Sequence, residues 1–171
     1  MSRKSGWVVA LITLACASLP AVASAQKLVF VVRHAERADA GSGQMQMQTD
    51  PPLSPAGEER AAKLAAMLKD AGVQAIFVTE YRRTLDTARP LAAKLGLELK
   101  KNAASDTDGL LRELRGRHAG EIVLVVGHSN TLPALIKMLG GGDVTIADDE
   151  YDNLFIIVPG ARTMTRIRFT P

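Results

Sequence analysis

Three short segments of the 171-residue chain hold residue types suited to chemistry on phosphorus. They are Arg33-His34-Ala35-Glu36, Thr79 with Arg83 four residues later, and Gly127-His128-Ser129. The chain has three histidines, His34, His118 and His128. An imidazole titrates near pH 6.5, so at neutral pH it is largely an uncharged nucleophile or base, and histidine can form covalent intermediates. Arginine stays charged and its planar fork matches phosphate oxygens in pairs. Two histidines with two arginines suggest phosphoryl transfer: one histidine attacks phosphorus, the arginines hold the equatorial oxygens, and the second histidine donates a hydrogen bond to the same group. A metal is not expected. Cys16 is the only cysteine, and no two histidines stand at the i, i+4 spacing of a helical zinc motif. Gly127-His128-Ser129-Asn130-Thr131 is not a serine-hydrolase elbow, because Thr131 stands where the second glycine belongs.

Each segment follows an apolar run that reads as a buried strand. These runs are Lys27 to Val32, Ala75 to Val78 and Ile122 to Val126. Helices are expected between them. Ser54 reads as an N-cap with Pro55 at the first helical position, Leu64, Met67 and Leu68 recur at helical spacing, and Gly72 is a stop. A second helix runs from about Arg82 to Leu95 and closes at Gly96, and another from about Thr131 to Leu139. Between residues 97 and 120, Leu97 and Leu99 alternate with charge as in a short strand, while Leu110, Leu111 and Leu114 suggest a helix. Leu154 to Val158, Pro159-Gly160 and Thr163 to Phe169 read as a hairpin. Gly41 to Pro52 is a polar loop. The order predicts a three-layer α/β/α sandwich around a mainly parallel sheet. In such sheets the site lies beyond the carboxyl ends of the strands, where these histidines and arginines fall.

Residues 1–25 read differently. Arg3 and Lys4 precede an apolar run from Trp7 to Leu19, and Ala23-Ser24-Ala25 precedes Gln26. This is the pattern of a secretory signal peptide. The run is short of the ~20 residues that span a bilayer. Export to the periplasm or medium is expected, with residues 26–171 as one domain and no stable membrane insertion after cleavage; acylation at Cys16 is the alternative. Removal of 1–25 leaves 19 Lys and Arg against 18 Asp and Glu. No basic stripe interleaved with aromatics remains, so nucleic acid is not an expected partner.

The segments together resemble the histidine phosphatase superfamily, whose fold is phosphoglycerate-mutase-like. Arg33-His34-Ala35-Glu36 is similar to its Arg-His-Gly or Arg-His-Ala-Glu signature. Leu53-Ser54-Pro55-Ala56-Gly57 is similar to its Leu-(Ser/Thr)-x-x-Gly helix start. Thr79 to Ala88 resembles its (Ser/Thr)-x-x-x-Arg-(Ala/Thr)-x-x-Thr-Ala segment, and Gly127-His128-Ser129 its second-histidine motif. The order agrees, and the compact length resembles the small phosphohistidine phosphatases. The resemblance implies His34 as the phosphorylated nucleophile, His128 as the second histidine, and Arg33 and Arg83 as phosphate clamps, with no cofactor.

Larger members place a glutamate proton donor after the second strand. The candidates here are Asp106 and Asp108, with Glu113 and Glu36 also in view; the two aspartates could equally cap a helix. Arg37 could add a phosphate contact, and His118, in a charged stretch, is expected at the surface. The reading is an exported phosphatase acting on a phosphorylated small molecule or a phosphoprotein. The alternatives are a phosphomutase, or a module that binds a phosphate or anionic ligand without turnover.

Overall fold

The computed structural model describes residues 27–39 and 50–170. The expected signal segment and most of the Gly41–Pro52 loop lie outside them. Six strands form one sheet: β1 (Leu28–Arg33), β2 (Ala75–Val78), β3 (Leu99–Lys101), β4 (Ile122–Gly127), β5 (Asn153–Val158) and β6 (Thr163–Arg168). Their order is β3-β2-β4-β1-β5-β6. The first four are mutually parallel, and β5 and β6 add as an antiparallel hairpin. Four helices, α1 (Pro55–Leu68), α2 (Arg82–Leu95), α3 (Thr107–Arg115) and α4 (Leu132–Met138), supply the crossovers.

The strands bury both faces because their side chains alternate with period 2. Val29, Val31, Phe77, Val123, Val125 and Phe155 pack with Leu110, Leu114, Leu132 and Leu135 of α3 and α4. Phe30, Val32, Ile76, Leu124 and Val126 pack with Leu64 and Leu68 of α1 and Leu91 of α2. The result is the expected three-layer sandwich. Each fully buried aliphatic side chain stabilises it by about 1.5–3 kcal/mol.

Local chemistry sets the helix ends. Ser54 Oγ accepts from Gly57 N–H at 3.1 Å, which caps α1 at Pro55 as the sequence suggests. Gly57 has a second reason to lack a side chain: a Cβ there would lie 2.3 Å from the Glu36 carbonyl oxygen. α2 ends at Gly96, whose φ of +66° is the left-handed cap. Pro90 lies inside α2 without ending it; the buried faces of Ala88, Leu91 and Ala92 outweigh the one backbone bond that proline removes. Residues 97–120 resolve into β3 and α3, so both readings of that stretch hold. Among the described residues no helix is long and apolar enough to cross a membrane.

One local expectation needs correction. His118 is half-buried rather than fully exposed: its ring meets Phe77 edge-on at 5.1 Å, and its Nδ1 lies 2.7 Å from Glu121 Oε2. The Ser129 hydroxyl donates to Asp148 Oδ1 at 3.3 Å.

Candidate active site

Parallel register brings the three segments to one edge. Arg33 pairs with Gly127 across β1 and β4, and Val78 with Val126 across β2 and β4. Arg33, Thr79 and His128 therefore emerge side by side although they lie far apart in sequence. His34 N–H donates to the Gly127 carbonyl at 2.9 Å and extends this ladder by one residue. The rings of His34 and His128 meet at 5.4 Å between centroids, with an interplanar angle of 61°.

The tautomer of His34 follows from its partner. Its Nδ1 lies 2.8 Å from the Ala35 carbonyl oxygen, and a carbonyl only accepts, so Nδ1 carries the proton and Nε2 keeps its lone pair. The side chain is buried at 4% exposure. Burial, with smaller contributions from His128, Arg33 and Arg83, brings its pKa down to about 3 against the raising effect of the Ala35 bond. His34 is thus a neutral base or nucleophile across the physiological range.

His128 is read the same way. Arg83 Nη2 lies 3.4 Å from His128 Nδ1, and a guanidinium only donates, so that nitrogen accepts. Its Nε2–H then donates to Thr79 Oγ1 at 3.0 Å. Thr79 Oγ1 passes its own hydrogen to Thr84 Oγ1 at 3.0 Å, and Thr84 donates to the Tyr81 carbonyl at 2.8 Å. Burial first, then the charge of Arg83, lowers the His128 pKa to about 4.

The two arginines are held alike. Arg33 Nη1 donates to the carbonyls of Ala147 at 2.8 Å and Glu150 at 3.2 Å, and its guanidinium lies 4.1 Å over the Tyr151 ring. The Arg83 guanidinium lies 4.2 Å over Tyr81. Burial, then the charge of Arg37, lowers the Arg83 pKa. In both arginines the Nε–H is buried with no partner. A buried donor left unpaired is costly, about 1–3 kcal/mol.

Sequence reasoning missed several residues here. Tyr81 and Tyr151, the only tyrosines of the chain, both frame the site. Thr87 Oγ1 accepts from Ala35 N–H at 2.9 Å and donates to the Arg83 carbonyl at 2.7 Å, tying the His34 loop to α2. Asp50 accepts from the Arg82 backbone N–H at 2.8 Å, at the start of α2, and stands 3.9 Å from Arg83 Nη1.

The suggested proton donors are engaged elsewhere. Asp106 Oδ1 accepts from Gly109 N–H at 2.8 Å and caps α3. Asp108 is exposed in the first turn of α3. Neither makes a hydrogen bond or ion pair to Arg33, His34, Arg83 or His128. Glu113 pairs with Arg117. Burial would push the Glu36 carboxyl up, but Arg60, bonded to it at 2.6–2.9 Å, more than offsets this and holds it below its ordinary value. Arg37 pairs with Asp39 at 3.2 Å. No group of three His, Cys, Asp or Glu among the described residues could hold a metal ion.

Residues 29–106 match the family model of the histidine phosphatase superfamily, branch 1. A Yersinia enterocolitica protein named probable phosphoglycerate mutase GpmB is 37% identical over 86 residues, which span 50% of this chain and 37% of that relative. Phosphoglycerate mutase from Bacillus anthracis superposes with a TM-score of 0.64 at 16% identity, over 86% of this chain and 94% of its own. A mycobacterial glucosyl-3-phosphoglycerate phosphatase superposes with a TM-score of 0.62 at 15% identity, over 84% of this chain and 98% of its own. The match over residues 29–106 supports the histidine phosphatase superfamily, and the fold is phosphoglycerate-mutase-like.

Proposed function

We propose that the chain is an exported phosphatase that hydrolyses a phosphomonoester or a phosphoprotein through a phosphohistidine. The observation that carries the reading is the bare Nε2 of His34, fixed by the Ala35 carbonyl and set beside two arginines with unpartnered Nε–H groups. The Nε2 lone pair attacks phosphorus, the bond to the leaving oxygen breaks with its electron pair, and that oxygen takes a proton from solvent. Water then attacks the phosphohistidine, releasing inorganic phosphate and restoring His34. Arg33 and Arg83 offset the charge on the equatorial oxygens throughout. His128, whose Nδ1 edge faces Arg83, hydrogen-bonds the same group once that edge carries the proton.

His34→Ala removes turnover of an aryl phosphate, and wild-type enzyme quenched in alkaline detergent carries base-stable, acid-labile phosphate. Near wild-type activity in His34→Ala overturns the reading, while tight phosphate binding without turnover by the wild type identifies a binding module. A mutase is the second reading, favoured by the name that the Yersinia relative carries. It returns the phosphoryl group to a different hydroxyl, so it yields an isomeric ester without release of inorganic phosphate. Export rests on the pattern of residues 1–25: a periplasmic or secreted product beginning at Gln26 supports it, and retained Met1 contradicts it.

A further inference from the structure

Charge is distributed unequally on the two sides of the candidate site. On the β5 side runs the segment Ala147–Asp152, with Asp148, Asp149, Glu150 and Asp152. Glu150 is paired with Arg166 and Arg168, Asp152 with Arg168, and Asp148 takes the Ser129 hydroxyl; Asp149 is exposed. On the β3 side lies a depression of about 550 Å³ lined by Lys100, Lys101, Asn102 and Arg112. Its carboxylates are already engaged, Asp106 as the α3 cap and Glu113 with Arg117, and His118 faces Glu121. Lys100, Lys101 and Arg112 are exposed and have no ion-pair partner among the described residues. Most other arginines near a carboxylate are paired: Arg60 with Glu36, Arg82 and Arg89 with Asp86, Arg166 and Arg168 with Glu150. The depression is thus a concave cationic surface at the flank of the phosphate-binding edge.

Its distance from the site is set by the sheet. Lys101 pairs in register with Val78, the residue before Thr79, and Thr79 touches His128. From β1, which carries His34 at its end, to β3 there are three strand spacings, about 14 Å at ~4.8 Å each. Extended peptide covers that in about four residues. A compact phosphometabolite held at His34 does not reach it. On the way stands Glu80, whose carboxylate accepts from Ala104 N–H at 2.8 Å.

We propose that the Lys100, Lys101 and Arg112 depression is a docking groove for an acidic peptide segment about four residues from the phosphorylated residue of a protein substrate. The proposal rests on the phosphatase reading and names its substrate class. The cations of the β3 side that have no ion-pair partner attract such a segment, and this sets the direction in which the peptide lies.

The test compares phosphopeptides with glutamates three to five positions from the phosphorylated residue, on either side, with otherwise identical glutamine peptides. The enzyme is the wild type or Lys100→Gln/Lys101→Gln/Arg112→Gln. The expected result is a KM lower by on the order of 10-fold for one glutamate series at low salt, lost in the triple variant and in 0.5 M salt. Turnover of p-nitrophenyl phosphate is unchanged by the triple variant. Equal KM values for glutamate and glutamine peptides, or a preference that survives in the triple variant, overturn the groove. Turnover of p-nitrophenyl phosphate but of no peptide overturns the substrate class and leaves the phosphatase reading standing. If no phosphate ester is turned over, fluorescence anisotropy of the unphosphorylated glutamate peptide still decides the groove: binding that the triple variant abolishes supports it, and no binding overturns it.

Discussion

The Arg83 Cζ lies over the Tyr81 ring, 4.2 Å from its centroid, and Arg83 Nη2 lies 3.4 Å from His128 Nδ1. Tyr81 thus helps hold the guanidinium beside His128. Arg83→Lys keeps the charge but loses the fork, and kcat/KM falls by about 10- to 1,000-fold. Tyr81→Phe retains the stack and most of the activity. Tyr81→Ala loses a contact worth roughly 0.5–2 kcal/mol, about 2- to 30-fold in kcat/KM. Steady-state kinetics on one aryl phosphate measures all three, and equal loss in Tyr81→Phe and Tyr81→Ala would show that the hydroxyl, not the ring, matters.

Thr87→Val tests how the His34 loop is anchored. The substitution keeps shape but leaves the buried Ala35 N–H without its acceptor. The expected loss is about 1–3 kcal/mol of stability, read as a lower urea midpoint with an unchanged m-value. Activity falls as well, because Ala35 carries the carbonyl that sets the His34 tautomer.

The histidine pair sets a pH dependence. Both pKa values are lower in the folded chain, about 3 for His34 and about 4 for His128, than the ordinary 6.5 of the unfolded chain. Below pH 6.5 the unfolded chain binds the extra protons, so stability falls as pH drops and stops falling on this account only below the folded values. The urea midpoint therefore declines between pH 6.5 and 5, above the carboxylate range, and His34→Gln/His128→Gln flattens that decline. The kcat/KM profile, which reports the free enzyme, has no histidine limb near 6.5 once the substrate's own ionisation is divided out.

Asp106 separates a cap from an acid. A cap predicts that Asp106→Asn is nearly neutral, since asparagine also caps, and that Asp106→Ala costs about 0.5–2 kcal/mol in thermal or urea unfolding. With no carboxylic acid engaged at the leaving group, aryl phosphates react far faster than alkyl phosphates in the wild type and in Asp106→Asn alike. A selective loss of alkyl turnover in Asp106→Asn, of the ~10²–10⁴-fold that general acids contribute, would restore Asp106 as donor.

What the sequence made legible was what period and strand ends carry. The unbroken apolar runs Val29 to Val32 and Val123 to Val126 announced strands buried on both faces, and the rule that sites lie beyond strand ends selected Arg33, Thr79 and His128 before any contact was known. The contacts that assemble the site were not legible. Arg60 meets Glu36 across 24 residues, and Arg33 meets Glu150 across 117; neither pairing leaves a local pattern. Tyr151 stands in an acidic run with no periodicity, so nothing marked it as the ring over Arg33. His118 misled because its neighbours Arg115 and Arg117 are exposed while the ring itself turns in against Phe77.

The order β2-β4-β1 has a consequence for how the chain acquires activity. The strand that carries His128 enters the middle of the sheet, and it is made after both of its neighbours. Until it inserts, β1 and β2 each offer an open parallel edge, and His34 lacks the Gly127 carbonyl that continues its ladder. Appearance of activity during refolding therefore reports closure of the last central seam, and should coincide with the slowest exchange protection in β4 rather than with the early formation of α1 and α2.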